Sequence, residues 1–282
     1  MFHVEQKKTN IKVVDHFLTK ETFVLSKTEI PGMLRTTPPP TEKQIGKYYN
    51  SKQYTSHNSS QKNIFSFFYR FLRSLNFWFK FSFLDKKKIN ANILDFGSGE
   101  GYFINKIKPE GFCVFGVDPF LSDPSKNIFN SLYNDSLSVK RFQHITAWHS
   151  LEHVHDVDKT VLRFFELLED HGTAIVAVPN HQSFDAQYYR DKWAAYDVPR
   201  HLWHFDKEAI KSFFSSRGFS FISSSPMLLD AYYVSLLSEK NNNSKFKILR
   251  AIIIGTFSNV KAFFTKQYSS NVFVFKKTNT NI

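Results

Sequence analysis

From residue 90 onward, short apolar runs alternate with longer segments whose apolar residues follow helical spacing. Uninterrupted apolar runs are typical of parallel strands buried on both faces, and helical spacing predicts the connections between them. This alternation predicts an α/β fold with a doubly wound, mainly parallel seven-stranded sheet of the Rossmann-like type. The predicted strands lie at 92–96, 113–118, near 128–132, 143–149, 173–178, 219–224 and 271–276. The main predicted helices lie at 101–108, from an N-cap at Asp158 to a residue before Gly172, and at 207–216.

Shifts in this pattern divide the chain into three regions. Residues 1–40 are predicted to form a small β element that ends in a proline linker, and residues 41–89 a helical cap segment. Residues 90–282 form the ligand-binding domain, with a helical insertion at about 228–268 because ordinary connections are far shorter. Within the cap, the aromatic helix 64–84 has two interpretations. It packs on two sides inside the protein, or it lies on a membrane surface.

Composition narrows the cellular setting and the class of partner. The chain has 282 residues, a net charge of +12 and a single cysteine, Cys113. One cysteine excludes an internal disulfide and fits a reducing compartment, so we expect a cytoplasmic protein, peripheral at the inner face of the membrane if 64–84 contacts lipid. The lysines are scattered, so we expect no specific nucleic-acid partner. No apolar run reaches the roughly 18 residues of a membrane span.

Residues 93–103 carry the most informative pattern, a strand followed by glycines at alternate positions. Gly97, Gly99 and Gly101 allow sharp turns and close approach of the backbone to a ligand. In a parallel sheet this turn lies in the crevice at the carboxyl end of the strand, where nucleotide-like ligands bind. Asp118 ends the next strand about 20 residues later, where an acid can accept hydrogen bonds from ribose hydroxyls.

The segments 95–101 and 116–119 resemble the first two motifs of class I S-adenosylmethionine-dependent methyltransferases. The resemblance implies that S-adenosylmethionine is the cofactor and that it binds at the glycine turn. The residues expected to bind it are Asp95, Gly97, Ser98, Gly99, Gly101, Tyr102, Asp118, Pro119 and Trp148.

A second constellation follows predicted strand four. His149, Glu152 and His153 have the i, i+3, i+4 spacing that places side chains on one face of a helical turn. The run resembles the fourth motif of methyltransferases related to the ubiquinone-pathway O-methyltransferases, in some of which a divalent metal is thought to sit near the equivalent positions. His149 replaces an acid of that pattern. We therefore favour a structural role over a metal held by these three residues, and His149 is also a candidate general base.

Residues 193–205 are dense in aromatic and polar side chains. Their position after predicted strand five favours a substrate pocket with aromatic walls, and the alternative is an Ω-loop whose aromatic residues simply pack. The expected substrate-binding residues are Trp193, Tyr196, Arg200 and Trp203. The candidate catalytic residues of both constellations are His149, His153, Asp197 and His201.

The resemblance covers nearly the whole chain and is to a bacterial subfamily of these methyltransferases of unassigned substrate. Thr28 and Pro31 stand where relatives often carry a Cys-x-x-Cys pair, and Gln143 stands where they often carry Asp. The resemblance implies methyl transfer to a small-molecule or lipid-like acceptor by O-methylation. The alternatives are a cofactor-binding partner subunit without catalysis and a methyltransferase of nucleic acid or protein. The oligomeric state stays open.

Overall fold

The computed structural model describes residues 11–49, 74–85, 90–119, 121 and 127–278 and contains two β-sheets. In chain order the strands are β1 (Ile11–Val14), β2 (Thr22–Lys27), β3 (Leu34–Thr37), β4 (Asn92–Phe96), β5 (Cys113–Val117), β6 (Ile128–Phe129), β7 (Phe142–Trp148), β8 (Leu168–Pro179), β9 (Trp203–His204), β10 (Phe219–Pro226) and β11 (Ser270–Lys277). The main sheet has the order β10-β11-β8-β7-β4-β5-β6, and β1-β2-β3-β9 form the smaller sheet.

In the main sheet the five neighbouring strands β8, β7, β4, β5 and β6 are parallel to one another. Strand β11 is antiparallel to both of its neighbours, β8 and β10. Phe96 of β4 pairs with Val117 of β5 and with Ala147 of β7, so these three strands end at one edge. This arrangement confirms the predicted seven-stranded, mainly parallel α/β sheet. It also brings the loops after β4, β5 and β7 together, as the position of ligand crevices in such sheets requires.

Nine α-helices lie in the parts of the chain that the structure describes. They are α1 (Glu42–Ile45), α2 (74–81), α3 (Tyr102–Ile107), α4 (Asp135–Ser138), α5 (Val157–Leu167), α6 (Phe184–Tyr189), α7 (Lys207–Ser215), α8 (Leu228–Asn241) and α9 (Lys247–Thr265). Short 3₁₀ turns lie at Gly46–Tyr48, Lys108–Glu110, Leu151–His153, Arg190–Lys192 and Ala194–Tyr196.

Apolar helix faces cover both sides of the main sheet. Phe164 of α5 and Phe213 of α7 belong to one core cluster, and Ile104 of α3 belongs to the cluster on the other side. On α2, Phe77 and Phe81 lie four residues apart in this second cluster and stack with ring centroids 5.7 Å apart. Side chains spaced by i and i+4 share one face of a helix, which explains why α2 packs on the sheet.

Several predicted boundaries differ from the structure, most of all those of α5 and β8. The N-cap of α5 is Asp156 and not Asp158, because the Asp156 side chain accepts a hydrogen bond from the Lys159 backbone N–H at 2.9 Å. The helix ends at Leu167, and β8 begins directly at Leu168 instead of after Gly172. The helical prediction for 64–84 is described only from residue 74, and residues 64–73 lie outside the described part.

The small sheet connects the N-terminal β element with the second half of the chain. Leu34 and Arg35 of β3 pair with His204 and Trp203 of β9. The Thr36 backbone N–H also donates to the Leu202 carbonyl at 2.9 Å. The residues 11–37 therefore support the aromatic loop 193–205 from one side.

The insertion before the last strand is a helical hairpin of α8 and α9. By length and composition alone α9 could cross a membrane, contrary to the expectation from apolar runs in the sequence, and 28% of its most apolar stretch is buried in the protein. Hydrogen bonds join the two helices, since Asn259 Nδ2 donates to the Leu228 carbonyl at 3.0 Å.

Candidate functional site

The glycine turn lies at the carboxyl ends of β4 and β5. The backbone N–H groups of Gly97 and Ser98 both donate to the Val117 carbonyl, at 2.8 and 3.1 Å. The Gly99 N–H donates to Asp118 Oδ2 at 2.8 Å, with Gly99 at a φ of +52°. A positive φ favours glycine, so the turn depends on this residue. The two predicted motifs, glycines and acid, meet here in space.

The loop after β7 packs directly against the glycine turn. A Cβ added to Gly97 would lie 2.3 Å from Ser150 Cβ, so only glycine fits. The Ser150 hydroxyl donates to the Phe96 carbonyl at 2.7 Å. The two sequence-predicted regions at 97–101 and 148–153 therefore form one continuous surface at the edge of the sheet.

Asp95 lies beneath the turn rather than on its surface. Its side chain is 2% exposed, and Thr146 Oγ1 donates to Asp95 Oδ1 at 2.6 Å. Burial raises the pKa of Asp95 to about 6, with the Thr146 hydrogen bond and the Lys80 charge opposing it. Asp95 can orient the end of β4, and a ligand in the crevice would not reach it without a shift of the turn.

Trp148 is half-buried next to the turn. Its ring lies against Phe103 of α3 at 5.7 Å between centroids, and its Nε1 donates to no acceptor in the described residues. The Lys80 ammonium lies 4.9 Å from the Trp148 ring centroid. Burial lowers the pKa of Lys80. Sequence reasoning missed Lys80 because nothing in the aromatic segment around it indicates that α2 reaches the end of β7.

His149 bridges two carboxylates at the end of β7. Its Nε2 lies 3.0 Å from Asp230 Oδ2 and its Nδ1 lies 3.4 Å from Glu152 Oε1. Burial disfavours the charged imidazole, but the hydrogen bonds and charges of Asp230 and Glu152 prevail and raise the pKa of His149 to about 10. At neutral pH His149 is a cation, so both of its ring nitrogens carry hydrogens and neither can accept a proton from a substrate.

Asp230 was not among the sequence-predicted site residues. It lies 81 residues after His149, near the start of α8. An isolated acid early in a predicted helical insertion gives no signal that it faces a histidine of β7. The contact nevertheless makes the insertion part of the wall of the crevice.

Glu152, His153 and His201 form a compact cluster beside His149. One ligand atom from each lies within 4.8 Å of the others, and the rings of His153 and His201 are 4.6 Å apart. The Leu202 N–H donates to the Glu152 carbonyl at 2.8 Å, which fixes the aromatic loop to the loop after β7. The structure thus brings together His153 and His201, two residues that the sequence placed in separate constellations.

The cluster presents hydrogen-bond acceptors toward one another. The side chain of Glu152 is 1% exposed and forms an ion pair with His149 at 3.4 Å, but neither of its oxygens accepts a well-aligned hydrogen bond from a described residue. Burial raises the pKa of Glu152, but the contacts with His149 and the other histidines outweigh burial and hold it at about 2. The His149 cation offsets part of the cost of burying this carboxylate, and a ligand that donates a hydrogen bond to it would offset more.

The partner of His201 determines its tautomer. His201 Nδ1 lies 2.9 Å from the Ala195 carbonyl, which only accepts, so this Nδ1 carries the hydrogen. His153 Nδ1 lies 3.0 Å from both the Arg200 carbonyl and the Tyr49 hydroxyl. Burial, with the charge of His153, lowers the pKa of His201 to about 4. His201 is therefore neutral at neutral pH, and its Nε2, 4.0 Å from Glu152 Oε1, has a free lone pair.

One carboxylate and two imidazoles are also ligands that first-row divalent metals accept. Among the described residues, Glu152, His153 and His201 are close enough together to hold a metal. His149, which the sequence analysis considered with Glu152 and His153, is held by Asp230 instead. A metal and a donor group of a substrate would compete for the same acceptor cluster.

The other predicted residues of the aromatic loop lie within the protein. Arg200 is 1% exposed, and its guanidinium donates to Asp15, Asp197 and the Tyr48 carbonyl at 2.7 to 3.1 Å. Trp193 Nε1 donates to the buried Asp185 carboxylate at 2.8 Å. These contacts occupy the guanidinium and indole donors that a substrate would need.

Tyr196 and Trp203 are the other two loop residues that the sequence assigned to substrate binding. Tyr196 is 4% exposed and packs edge to face on Trp193 at 5.0 Å. Trp203 is half-buried and its Nε1 donates to the Val154 carbonyl at 2.8 Å. The loop therefore contributes His201 to the acceptor cluster and stabilises that position with its other aromatic residues.

A separate cleft lies on the far side of the aromatic loop. It has a volume of about 560 Å³ and is lined by Trp193, Asp197 and Arg200 together with residues of β1 and the end of α8. None of the residues at 97–101 or 148–153 lines it. A molecule in this cleft would be separated from the glycine turn by the loop itself.

Comparison with known proteins gives one family match. The family model described as a methyltransferase domain matches residues 68–224, which is more than half of the chain. No curated protein matches the sequence.

Solved structures resemble the chain at low sequence identity. One is described as a sarcosine dimethylglycine methyltransferase from Galdieria sulphuraria (12% identity, 74% of this chain and 86% of that chain, TM-score 0.48). Another is a Haloferax volcanii complex between a methyltransferase activator and a methyltransferase (13%, 68% and 84%, TM-score 0.49). A third is a phosphoethanolamine N-methyltransferase of Haemonchus contortus with phosphomonomethylethanolamine and S-adenosylhomocysteine (17%, 68% and 50%, TM-score 0.45).

Proposed function

The chain belongs to the methyltransferase-domain family, and from this premise we propose that it methylates a hydroxyl group of a small-molecule or lipid-like acceptor. It is an enzyme that transfers methyl groups, with S-adenosylmethionine as its methyl donor. The residues at the glycine turn fit this cofactor. The Asp118 carboxylate can accept hydrogen bonds from a ribose, and among the described residues nothing but the adjacent chain lies within 4 Å of a Cβ built on Gly99. When bound, S-adenosylmethionine supplies an electrophilic methyl group.

The acceptor cluster of Glu152, His153 and His201 carries the proposal of a hydroxyl substrate. The carboxylate is ion-paired with His149 at 3.4 Å but accepts no well-aligned hydrogen bond from a described residue, and His201 Nε2 faces it as a second acceptor. A substrate that brings an O–H group satisfies both the missing hydrogen bond and the need for a proton to be removed. The glycine turn touches this region through Ser150, so cofactor and acceptor would meet at one edge.

His201 is the base that we assign to the reaction. Its Nδ1–H is fixed on the Ala195 carbonyl, so Nε2 can take the proton of the substrate hydroxyl. Glu152 then stabilises the resulting imidazolium through its negative charge, 4.0 Å away. His149 is already cationic and serves as a positive group that holds Glu152 and Asp230 in place. Asp197 neutralises Arg200 and supports the loop.

The described part of the cap supports an acceptor at or near a membrane. On α2, Trp78 and Leu75 are exposed while Phe77 and Phe81 pack on the sheet. An exposed tryptophan beside a leucine is suited to the interface of a bilayer. We therefore include in the proposal a cytoplasmic protein with peripheral contact through the 64–84 region.

Methyl transfer from labelled S-adenosylmethionine tests the proposal. The purified protein is incubated with small-metabolite and lipid fractions of its source, and labelled products are identified by mass spectrometry together with released S-adenosylhomocysteine. We expect an O-methyl product. His201→Gln should lower kcat roughly 100-fold without changing cofactor affinity, because general-base removal affects the chemical step.

The control variant is His171→Gln, because His171 is exposed at the other end of β8. It should turn over like the wild type. A labelled nucleic acid or protein product, or an N-methyl product, would contradict the proposed acceptor. Unchanged turnover in His201→Gln would contradict the assigned base and leave the family assignment intact.

A further inference from the structure

Helix α9 has the opposite of the usual arrangement of side chains. Its buried face consists largely of small residues, namely Ala251, Ile254, Gly255, Ser258 and Ala262. Its exposed face consists of large apolar residues, namely Ile248, Leu249, Ile252, Ile253, Phe257, Val260, Phe263 and Phe264, each at least 44% exposed. A soluble protein normally turns the large apolar residues inward, so this face is an interaction surface.

The apolar surface continues onto α8. Leu228, Leu229 and Tyr233 are 50%, 44% and 63% exposed. The two helices approach closely because Gly255 faces Tyr232, where an added Cβ would lie 2.7 Å from the ring. We call the exposed apolar residues of α8 and α9 the hairpin face.

The charges on and beside α9 are all basic, whereas the two acids of α8, Asp230 and Glu239, are paired with His149 and Arg250. Residues 240–266 contain Lys240, Lys245, Lys247, Arg250, Lys261 and Lys266 and no aspartate or glutamate. Arg250 is paired with Glu239 at 2.9 Å, and the exposed lysines lie near the two ends of α9. An apolar helix face with basic residues at its margins is the pattern of helices that lie in the interface of an anionic membrane.

Its packing shows that α9 lies along the protein and does not leave it. Ser258 Oγ donates to the buried Asp185 carboxylate at 2.6 Å. The chain returns from Thr265 into β11 at Ser270, and β11 lies between β8 and β10 in the main sheet. Crossing a bilayer would break these contacts, whereas lying on its surface keeps them.

We propose that the hairpin face docks the protein on the surface of an anionic membrane. Docking there places the crevice close to the lipid, because Asp230 lies next to Leu229 and contacts His149 at the end of β7. The proposal concerns a surface distinct from α2 and does not depend on the identity of the methyl acceptor. A second copy of the chain is a poorer occupant, since two such faces would bring like charges together.

Flotation of the full-length protein with vesicles tests the proposal. The vesicles contain phosphatidylcholine alone or phosphatidylcholine with phosphatidylglycerol. We expect binding to the anionic vesicles at least roughly tenfold stronger than to the neutral ones, and weakening by salt. Phe257→Gln combined with Phe264→Gln should lower binding at least roughly tenfold, since both apolar contacts are lost.

A matched control replaces Tyr133 and Val139 by glutamine, because both are exposed apolar residues away from the hairpin. The control should bind vesicles as the wild type does. Absence of binding to anionic vesicles, or equal binding by the hairpin variant, would overturn the proposal.

Two further measurements exclude other occupants. If the hairpin variant changes the mass of the particle in light scattering, a second copy covers the face and the proposal is wrong. If the variant alone lowers the unfolding temperature, another segment of the chain covers the face, which also overturns the proposal. Cofactor binding, measured in parallel by calorimetry, should be equal in all variants. A chain that floats with vesicles and yet binds no S-adenosylmethionine would contradict the proposed function alone.

Discussion

The glycine turn and the aromatic loop 193–205 both have the residue types of a functional site, but they use them differently. In the turn, no described residue fills the space beside Gly99, and the Asp118 carboxylate is half-buried at the crevice. In the loop, the guanidinium of Arg200 and the indole of Trp193 already donate to buried protein carboxylates. Polar and aromatic density therefore indicates a ligand site only where space for a ligand remains beside the polar groups.

Loss of the buried cation in the aromatic loop is expected to have the largest effect on stability. Arg200→Met leaves Asp15, which is 0% exposed, without its cationic partner. Breaking a buried pair in this way should cost about 3–5 kcal/mol in the free energy of unfolding. Urea unfolding measures this loss, and calorimetry on the protein that remains folded should show unchanged affinity for S-adenosylmethionine.

The control for this variant is Lys47→Met, because Lys47 and Glu21 form an exposed pair at 3.1 Å. Its effect should stay within about 1 kcal/mol. If Arg200→Met instead kept its stability and lost turnover, the loop would be a substrate site and the distinction between the two regions would fail.

A substitution in the glycine turn should have the opposite effect: it should weaken cofactor binding and change stability less. Asp118→Ala removes the carboxylate that faces the crevice and should weaken S-adenosylmethionine binding by about 1–3 kcal/mol, because the ribose hydroxyls lose their acceptor. Unfolding should change less than binding, since the Asp118 side chain is only half-buried and lies at the edge of the sheet. Calorimetric titration measures the affinity, and Asp170→Ala, an exposed acid on β8, is the matched control.

The same contrast explains what the sequence could and could not predict. The strand order and the glycine turn follow from local periodicity and from residues about 20 positions apart, which pair in a known topology. The Arg200–Asp15 pair joins residues 185 positions apart, and the His149–Asp230 pair joins residues 81 apart. No local pattern indicates such partners, so the sequence identified the right residue types in the loop without showing that protein groups already bind them.

The pH dependence of stability tests the bridge that His149 forms between Glu152 and Asp230, beside both regions. Because the pKa of His149 rises from 6.5 to about 10 on folding, the native state binds more protons between these values, and stability falls as pH rises through them. His149 is 31% exposed, so screening reduces the loss to about 1–2 kcal/mol. Urea unfolding at several pH values measures this slope, and His149→Gln should flatten it. An equal slope in the variant would contradict the bridge.

Trp203 gives the most sensitive test of whether the aromatic loop contacts substrate. It is the least buried of the four loop residues that the sequence assigned to substrate binding. Trp203→Phe keeps the aromatic ring beside Arg35 and removes the Nε1 hydrogen bond to the Val154 carbonyl. One such hydrogen bond is worth about 0.5–1.5 kcal/mol, so thermal unfolding should shift slightly. Because that bond joins the loop to residues after the Glu152 turn, kcat should fall no more than loss of folded protein explains. A larger fall in kcat, with a raised KM for the acceptor, would mean that Trp203 contacts substrate and that the loop is structural only in its buried half.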